Sequence, residues 1–215
     1  MKINYIVGMT SSGKTGFINK VFPSIVPEFV KFMPGRFLFE CFEKSGIPNK
    51  GGNKNTWNWS ESLILQNIKS MAELSFVHGV DLVLDGIPRN SVQFDLLEHE
   101  WLEGFDRRFI IMDVGNSKEE ILKRIKRLKS RTRFTEKYEL ERALESCIDF
   151  KGVLRKIENL RNRDCDLDFI DIVRYEDDVV KFFNPSPEAI ENIFNVMDNT
   201  EHLIKAELDI YSSAG

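Results

Sequence analysis

At 215 residues the chain has the length of one α/β domain with room for a small inserted lobe, and it is long enough to bury a sizeable core. Apolar residues make up 42% and charged residues 30%; the formal charge of −4 gives no general reason to expect a nucleic-acid binder and leaves only a local basic channel for such a substrate. No apolar run approaches membrane-spanning length, which argues against a transmembrane helix. Cys41, Cys147 and Cys165 are odd in number and lack ligand-like spacing, so the expectation is a reducing, cytoplasmic setting without structural zinc. The first residues carry no signal-peptide pattern, which agrees with that expectation.

Ile3 to Val7 reads as a buried strand. It breaks into Gly8-Met9-Thr10-Ser11-Ser12-Gly13-Lys14-Thr15, a full match to G-x-x-x-x-G-K-[ST], the Walker A pattern. Glycines at both ends let the backbone curl so that successive N–H groups point inward at phosphate oxygens. Gly8, Ser11, Ser12, Gly13, Lys14 and Thr15 are therefore the expected nucleotide-binding residues. Lys14 supplies a cation to the outer phosphates and Thr15 a hydroxyl to Mg²⁺, while a helix from Gly16 to Val21 presents its positive end to the anion. An ordinary Gly/Ser turn is the plain alternative; the strand before and the helix after weigh against it.

Phe29 to Phe32 forms a short second strand, after a connection bracketed by Pro23 and Pro27. Met33-Pro34-Gly35 reads as a turn, and Arg36 to Phe42 as the start of a helix or a pocket wall. Arg36 is either a substrate contact or a solvated arginine. Gly46 to Asn55, rich in Gly, Asn, Lys and Pro, reads as a mobile loop. Trp57 and Trp59 close it, as core anchors or as a stacking surface for a base. The pattern from Ser60 to Phe76 predicts an amphipathic helix capped by Ser60, with Trp59 stapled onto Ile64. Ile64, Ile68, Met71 and Ser75 follow its inner face, with Leu65, Ala72 and Phe76 beside them.

Val80 to Leu84 then reads as a buried parallel strand ending in Asp85-Gly86-Ile87-Pro88-Arg89, followed by Gln93. An Asp at the C-terminal edge of such a strand lies where open α/β sheets place their sites, and it can organise Mg²⁺ waters beside Thr15. Gly86 and Pro88 make a sharp exit that aims Arg89 at an anion; a simple turn is the alternative. Arg108 to Val114 is a fourth strand, leading into SKEEILKRIKRLKSRTR. There Ile121, Leu122, Ile125 and Leu128 form a buried stripe. Arg124, Arg127 and Arg131 share another face, either solvated or, beside a phosphate loop, arranged around a transferring group.

Glu136 to Leu160 continues as a long helix, buried in its first half by Leu140, Leu144, Cys147 and Ile148, with Gly152 as a bend. Phe169 to Val173 is the fifth strand. Pro185-Ser186-Pro187 precedes a last helix, Glu188 to Met197, and Asp198 to Gly215 is either a frayed tail or an element against another subunit.

The phosphate loop together with DGIPRNSVQ resembles the DGFPR…Q signature of adenylate kinase and its nucleoside-monophosphate kinase relatives. The resemblance implies that Asp85 helps hold the magnesium shell, Arg89 binds the acceptor's phosphate and Gln93 reads an acceptor base. It also implies phosphate-clamping arginines before, within and after a lid. Arg124 and Arg127 resemble the first pair, Arg131 and Arg142 the second, with Arg133 competing for the place of Arg131. The residues between Arg174 and Asp178 would lie along the donor adenine. Two features depart from the family. The loop lacks the proline of GxPGxGKG and has Thr15 after the lysine, and the acceptor segment is replaced by Met33-Pro34-Gly35-Arg36 with the loop that follows.

These observations lead to an α/β expectation: a three-layer P-loop NTPase-type sandwich with a parallel, five-stranded sheet and a short helical lid. One kinase domain spans residues 1–200, with an acceptor-binding insertion at about 33–76, a lid at about 128–140 and a tail at 201–215. The expected activity is magnesium-dependent transfer of the ATP γ-phosphoryl group to a nucleoside or deoxynucleoside monophosphate, by a monomer or a homodimer. A nucleoside, a modified DNA base or another hydroxyl compound is the alternative acceptor, supported by the altered acceptor segment and the tryptophan pair. A nucleotide-hydrolysing switch is the alternative of a different class.

Overall fold

The computed structural model of the protein describes residues 1–45, 54–113, 115, 118–129, 135–163, 170–176 and 178–213. The first half runs β1 (Ile3–Val7), α1 (Lys14–Lys20), α2 (Phe22–Ile25), β2 (Phe29–Phe32), α3 (Pro34–Ser45) and α4 (Lys54–His78). Next come β3 (Asp81–Asp85), α5 (Ser91–Leu96) with a π-helical turn over Leu97–Trp101, and β4 (Arg107–Asp113). The chain then forms α6 (Lys118–Lys129), α7 (Glu136–Arg163), β5 (Ile170–Glu176), β6 (Val179–Phe183) and α8 (Pro187–Ser213).

All five residues of β1 are buried, the mark of a strand covered on both faces. Side chains alternate along a strand, so each strand contributes to two cores. Ile6, Val83, Ile110, Met112 and Val173 point to one face, where Phe17, Ile18 and Phe22 cover them. Tyr5, Val7, Leu82, Leu84, Phe109 and Ile111 point to the other, beneath the apolar faces of α4, α5, α7 and α8. The result is a three-layer, Rossmann-like α/β sandwich. Strand order is β2-β3-β1-β4-β5-β6, parallel throughout except for β6, which runs antiparallel to β5. With β1 flanked by β3 and β4, the ends of all three strands meet along one edge of the sheet. No described helix is long and apolar enough to cross a membrane.

Several expectations are corrected. The described sheet has six strands, not five: β5 continues through Arg174, Tyr175 and Glu176, turns at Asp178 (φ 65) and returns as β6. Four of the five β6 residues are exposed, so this edge strand lacks the burial pattern that marks the others. The segment at Asp198 to Gly215 is no tail up to Ser213, because α8 runs on with Thr200 and Ile204 buried. Helix α4 begins at Lys54, six residues before the expected cap, so Ser60 lies inside it; once a helix is nucleated, extension fixes one further residue per hydrogen bond. Pro34 and Gly35 form the first turn of α3 rather than a separate turn, with Phe37 N–H donating to Met33 C=O at 3.0 Å; proline fits a first helical position because no N–H is needed there. Helix α7 runs on to Arg163, three residues past its expected end at Leu160. Phe76, Leu122 and Ile148 are exposed, each at the margin of its apolar stripe. Residues 46–53 of the expected mobile loop, residues 130–134 of the expected lid and the side chains of Trp57 and Trp59 lie outside the described residues.

Candidate functional site

The loop between β1 and α1 is shaped by sterics. Gly13 caps α1 at φ 88, and a Cβ there would stand 2.8 Å from the Tyr175 carbonyl oxygen. At Gly8 a Cβ would meet Ser12 Oγ at 2.7 Å and Met112 Cβ at 2.9 Å, so only hydrogen fits. Ser11, at φ 65, takes the left-handed conformation without a glycine's freedom, a local strain of the kind found in ligand-binding turns. Lys14 folds back over the loop, its Nζ donating to the carbonyls of Gly8 (2.6 Å) and Met9 (2.8 Å) and to Ser12 Oγ (3.3 Å). On the far side Thr10 N–H donates to Ser146 Oγ of α7 at 2.9 Å.

The second stretch arrives through the sheet. β1 and β3 pair in parallel with Ile6 opposite Asp85, so the end of β3 stands beside the loop. Thr15 Oγ1 donates to Asp85 Oδ2 at 3.2 Å, joining the two sequence motifs directly. Gly86 (φ 75) turns the chain, the Ile87–Pro88 peptide is cis, and Arg89 Nε donates to Gly86 C=O at 3.2 Å. Asn90 caps α5 by accepting from Gln93 N–H at 2.9 Å, while Gln93 Oε1 accepts from Arg89 N–H at 2.9 Å. Gln93 is buried and is not among the cleft-lining residues; its carbonyl oxygen serves the backbone of the turn.

Around these two stretches lies a cleft of about 620 Å³, a size suited to a small-molecule ligand. Lys14, Arg36, Arg89, Arg127 and Arg142 line it, against the carboxylates of Asp85, Glu145 and Asp149. Five cationic side chains thus outnumber three acidic ones, and the cleft favours an anion. Arg89 is accessible from the cleft, yet the protein around it and the neighbouring Arg142 pull its guanidinium down to about 10, with Asp85 and Asp149 acting the other way. It stays charged at neutral pH. The Arg89 guanidinium lies 4.0 Å from the Cβ position of Gly35, so the start of α3 forms the opposite wall. Arg36 on that wall pairs with Glu40 at 2.8 Å and its side chain is 74% exposed, which makes it a rim group.

The structure therefore brings Gly8, Ser11, Ser12, Gly13, Lys14, Thr15, Arg36, Asp85, Arg89, Arg127 and Arg142 to one cleft, and Gln93 is buried outside its lining. Arg124 lies on α6, with its side chain outside the described residues, as are Arg131 and Arg133. Glu145, Ser146 and Asp149 were not read from the sequence as site residues. Their spacing from Arg142 places all four on one face of α7, which is the signal that finds them. Arg174, Tyr175 and Glu176 belong to β5, and Asp178 leads into β6, which pairs back on β5, where a loop was expected. The Tyr175 hydroxyl donates to Asp178 Oδ1 at 2.5 Å, and Lys20 Nζ meets the same oxygen at 2.6 Å, latching the hairpin to α1.

The hydroxyl of Thr15 and the carboxylate of Asp85 are hard oxygen donors of the kind Mg²⁺ takes. Among the described residues no group of three or more His, Cys, Asp and Glu side chains is placed to hold a metal alone. Thr15 and Asp85 therefore suit an ion that keeps most of its ligands as water and ligand phosphate. No protein-family model matches the chain, and no curated protein matches it.

Proposed function

We propose that the protein is a magnesium-dependent phosphotransferase of the P-loop kind, which moves the γ-phosphoryl group of ATP to a nucleoside or deoxynucleoside monophosphate in the cytoplasm. One observation carries the reading: Lys14, the Thr15–Asp85 contact and the guanidinium-bearing residues Arg89, Arg127 and Arg142 share a single cleft at the end of β1 and β3. Phosphoryl transfer needs positioning and charge neutralisation more than a general base, and two anionic substrates brought together need several cations around them. In this reading the glycine loop and Lys14 hold the ATP phosphates, and Thr15 and Asp85 hold Mg²⁺, Asp85 through water. Arg89 takes the acceptor's phosphate, with Arg36 as a second contact. Arg127 and Arg142 neutralise charge on the transferring group, with Arg124 and Arg131 as further members of a short lid.

Two observations favour a second acceptor class. Gln93 Oε1 is engaged by Arg89 N–H, and Glu145 and Asp149 add carboxylates to the cleft. Carboxylates accept hydrogen bonds from hydroxyls, which suits a nucleoside, a modified base or another small alcohol. The test is incubation with MgATP and a panel of ribo- and deoxyribonucleoside monophosphates, free nucleosides and short DNA with hydroxymethylated bases. The expected result is one or a few nucleoside diphosphates, lost in Lys14→Ala, with a raised acceptor KM in Arg89→Met. Product formed only from unphosphorylated acceptors would overturn the monophosphate assignment, and phosphate release without any phosphorylated acceptor would favour a switch.

A further inference from the structure

Thr10 occupies the position at which the GxPGxGKG pattern carries a proline. A proline has no N–H; a threonine has one, and a partly buried backbone donor needs an acceptor. Here the acceptor comes from 136 residues away: Ser146 Oγ, at 2.9 Å. Lys14 already ties the carbonyl side of the same loop through Gly8 and Met9. The loop is thus held on one side by its own lysine and on the other by α7.

Ser146 is placed so that this bond has a consequence for the cleft. It sits on the α7 face that also carries Arg142, Glu145 and Asp149. Further along, Lys156 Nζ binds Asp95 Oδ2 of α5 at 2.7 Å, and the Cβ position of Gly152 lies 3.6 Å from Ser91 Cβ. Helix α7 is therefore fastened to the element behind Arg89 at one point and to the glycine loop at another. We propose that Ser146 is a positioning residue: its hydroxyl braces α7 against the glycine loop and sets where Arg142 stands relative to Lys14. The consequence rests on the phosphotransferase reading, because it concerns the group that Arg142 neutralises; the brace itself does not.

Two measurements separate these. Amide hydrogen exchange of the substrate-free protein reads the brace alone: in Ser146→Ala the Thr10 amide and the α7 amides near residue 146 should exchange faster, with the core unchanged. Unchanged exchange would overturn the brace whatever the protein's activity. Steady-state turnover with MgATP and the monophosphate panel reads the consequence. A displacement of about 1 Å in a catalytic array costs up to about a hundredfold in rate, so Ser146→Ala should lower kcat at least about tenfold. The KM for ATP and the Tm should stay close to wild type, and Ser146→Thr, which keeps the hydroxyl, should recover most of the loss. A wild-type kcat in Ser146→Ala, or a loss that follows Tm and ATP binding together, would overturn the positioning role. A wild-type protein that transfers nothing to any monophosphate would instead sink the functional reading, and with it the catalytic consequence.

Discussion

Thr15 and Asp85 are separated by seventy positions, yet a 3.2 Å hydrogen bond joins them because Thr15 lies in the first turn of the helix after β1, Asp85 ends β3, and the two strands are neighbours. In the proposed function a cation would take the place of that proton contact. Asp85→Asn keeps the shape and an acceptor oxygen but removes the charge. Hydrogen bonds to charged groups are worth about 1.5–3 kcal/mol, so the magnesium concentration for half-maximal activity should rise about tenfold or more. Metal-free nucleotide binding, measured by calorimetry, should change less. Equal magnesium dependence in wild type and variant would count against a shared ion. This pair was legible in the sequence because both motifs end apolar runs and carry glycines whose backbone use is readable. Ser146, Glu145 and Asp149 were not, since a polar residue on a long helix is ordinarily solvated and only the fold brings this face over the loop. Gln93 shows the reverse case: its spacing from Arg89 was legible, but the same spacing serves an internal bond to the Arg89 amide.

Elements were legible where burial is periodic and obscure where it is not. The five parallel strands follow from their apolar runs, within one residue at their ends except that β5 runs three residues past Val173. Strand β6 escaped notice because Val179, Phe182 and Phe183 are exposed on an edge and its pairing with β5 is its main support. Helix α8 was cut short for a different reason. Its second half mixes charge with apolar residues, and only its packing on α7 selects the buried set. Ile204 is fully buried, Thr200 Oγ1 donates to Val196 C=O at 2.7 Å, and the Tyr211 hydroxyl donates to Glu136 at the start of α7. Removing the methyl groups of a buried isoleucine costs about 2–5 kcal/mol, the lost transfer energy plus the cavity left behind. Ile204→Ala should therefore lower unfolding stability by that amount, read from the urea midpoint at unchanged slope. A change below about 0.5 kcal/mol, the level of a surface substitution, would return this half of α8 to the status of a tail.

Among the described residues, the cleft and a partly buried ion pair stand at different ends of the sheet. The cleft stands at the C-terminal ends of β1 and β3, whereas Arg107, the first residue of β4, pairs with Glu98 of the π-helical turn at 3.0 Å. Glu98 is nearly inaccessible, and burial lifts its carboxyl above the ordinary 4.5, with Arg107 opposing. The Tyr5 hydroxyl, buried beside it, is pushed well above its usual range by desolvation and by the charge of Glu98. An acid whose folded value is raised contributes stability that is fully present below its unfolded value and is lost as pH rises through the folded one. Glu98→Gln removes that titration while keeping volume and hydrogen-bonding capacity. Wild type and variant should thus be most similar well below pH 4.5, where Glu98 is protonated in both folded and unfolded chains, and the variant should gain in relative stability as pH rises through 4.5 and on through the elevated value. Calorimetric Tm values across that interval check the sign. Because this cluster shares no residue with the cleft, binding of MgATP should be the same in both proteins at every pH at which both are folded. A stability gap that shrinks with rising pH would mean that ionised Glu98 gains more from Arg107 than burial takes away. A change in nucleotide binding would mean that the two ends of the sheet are coupled.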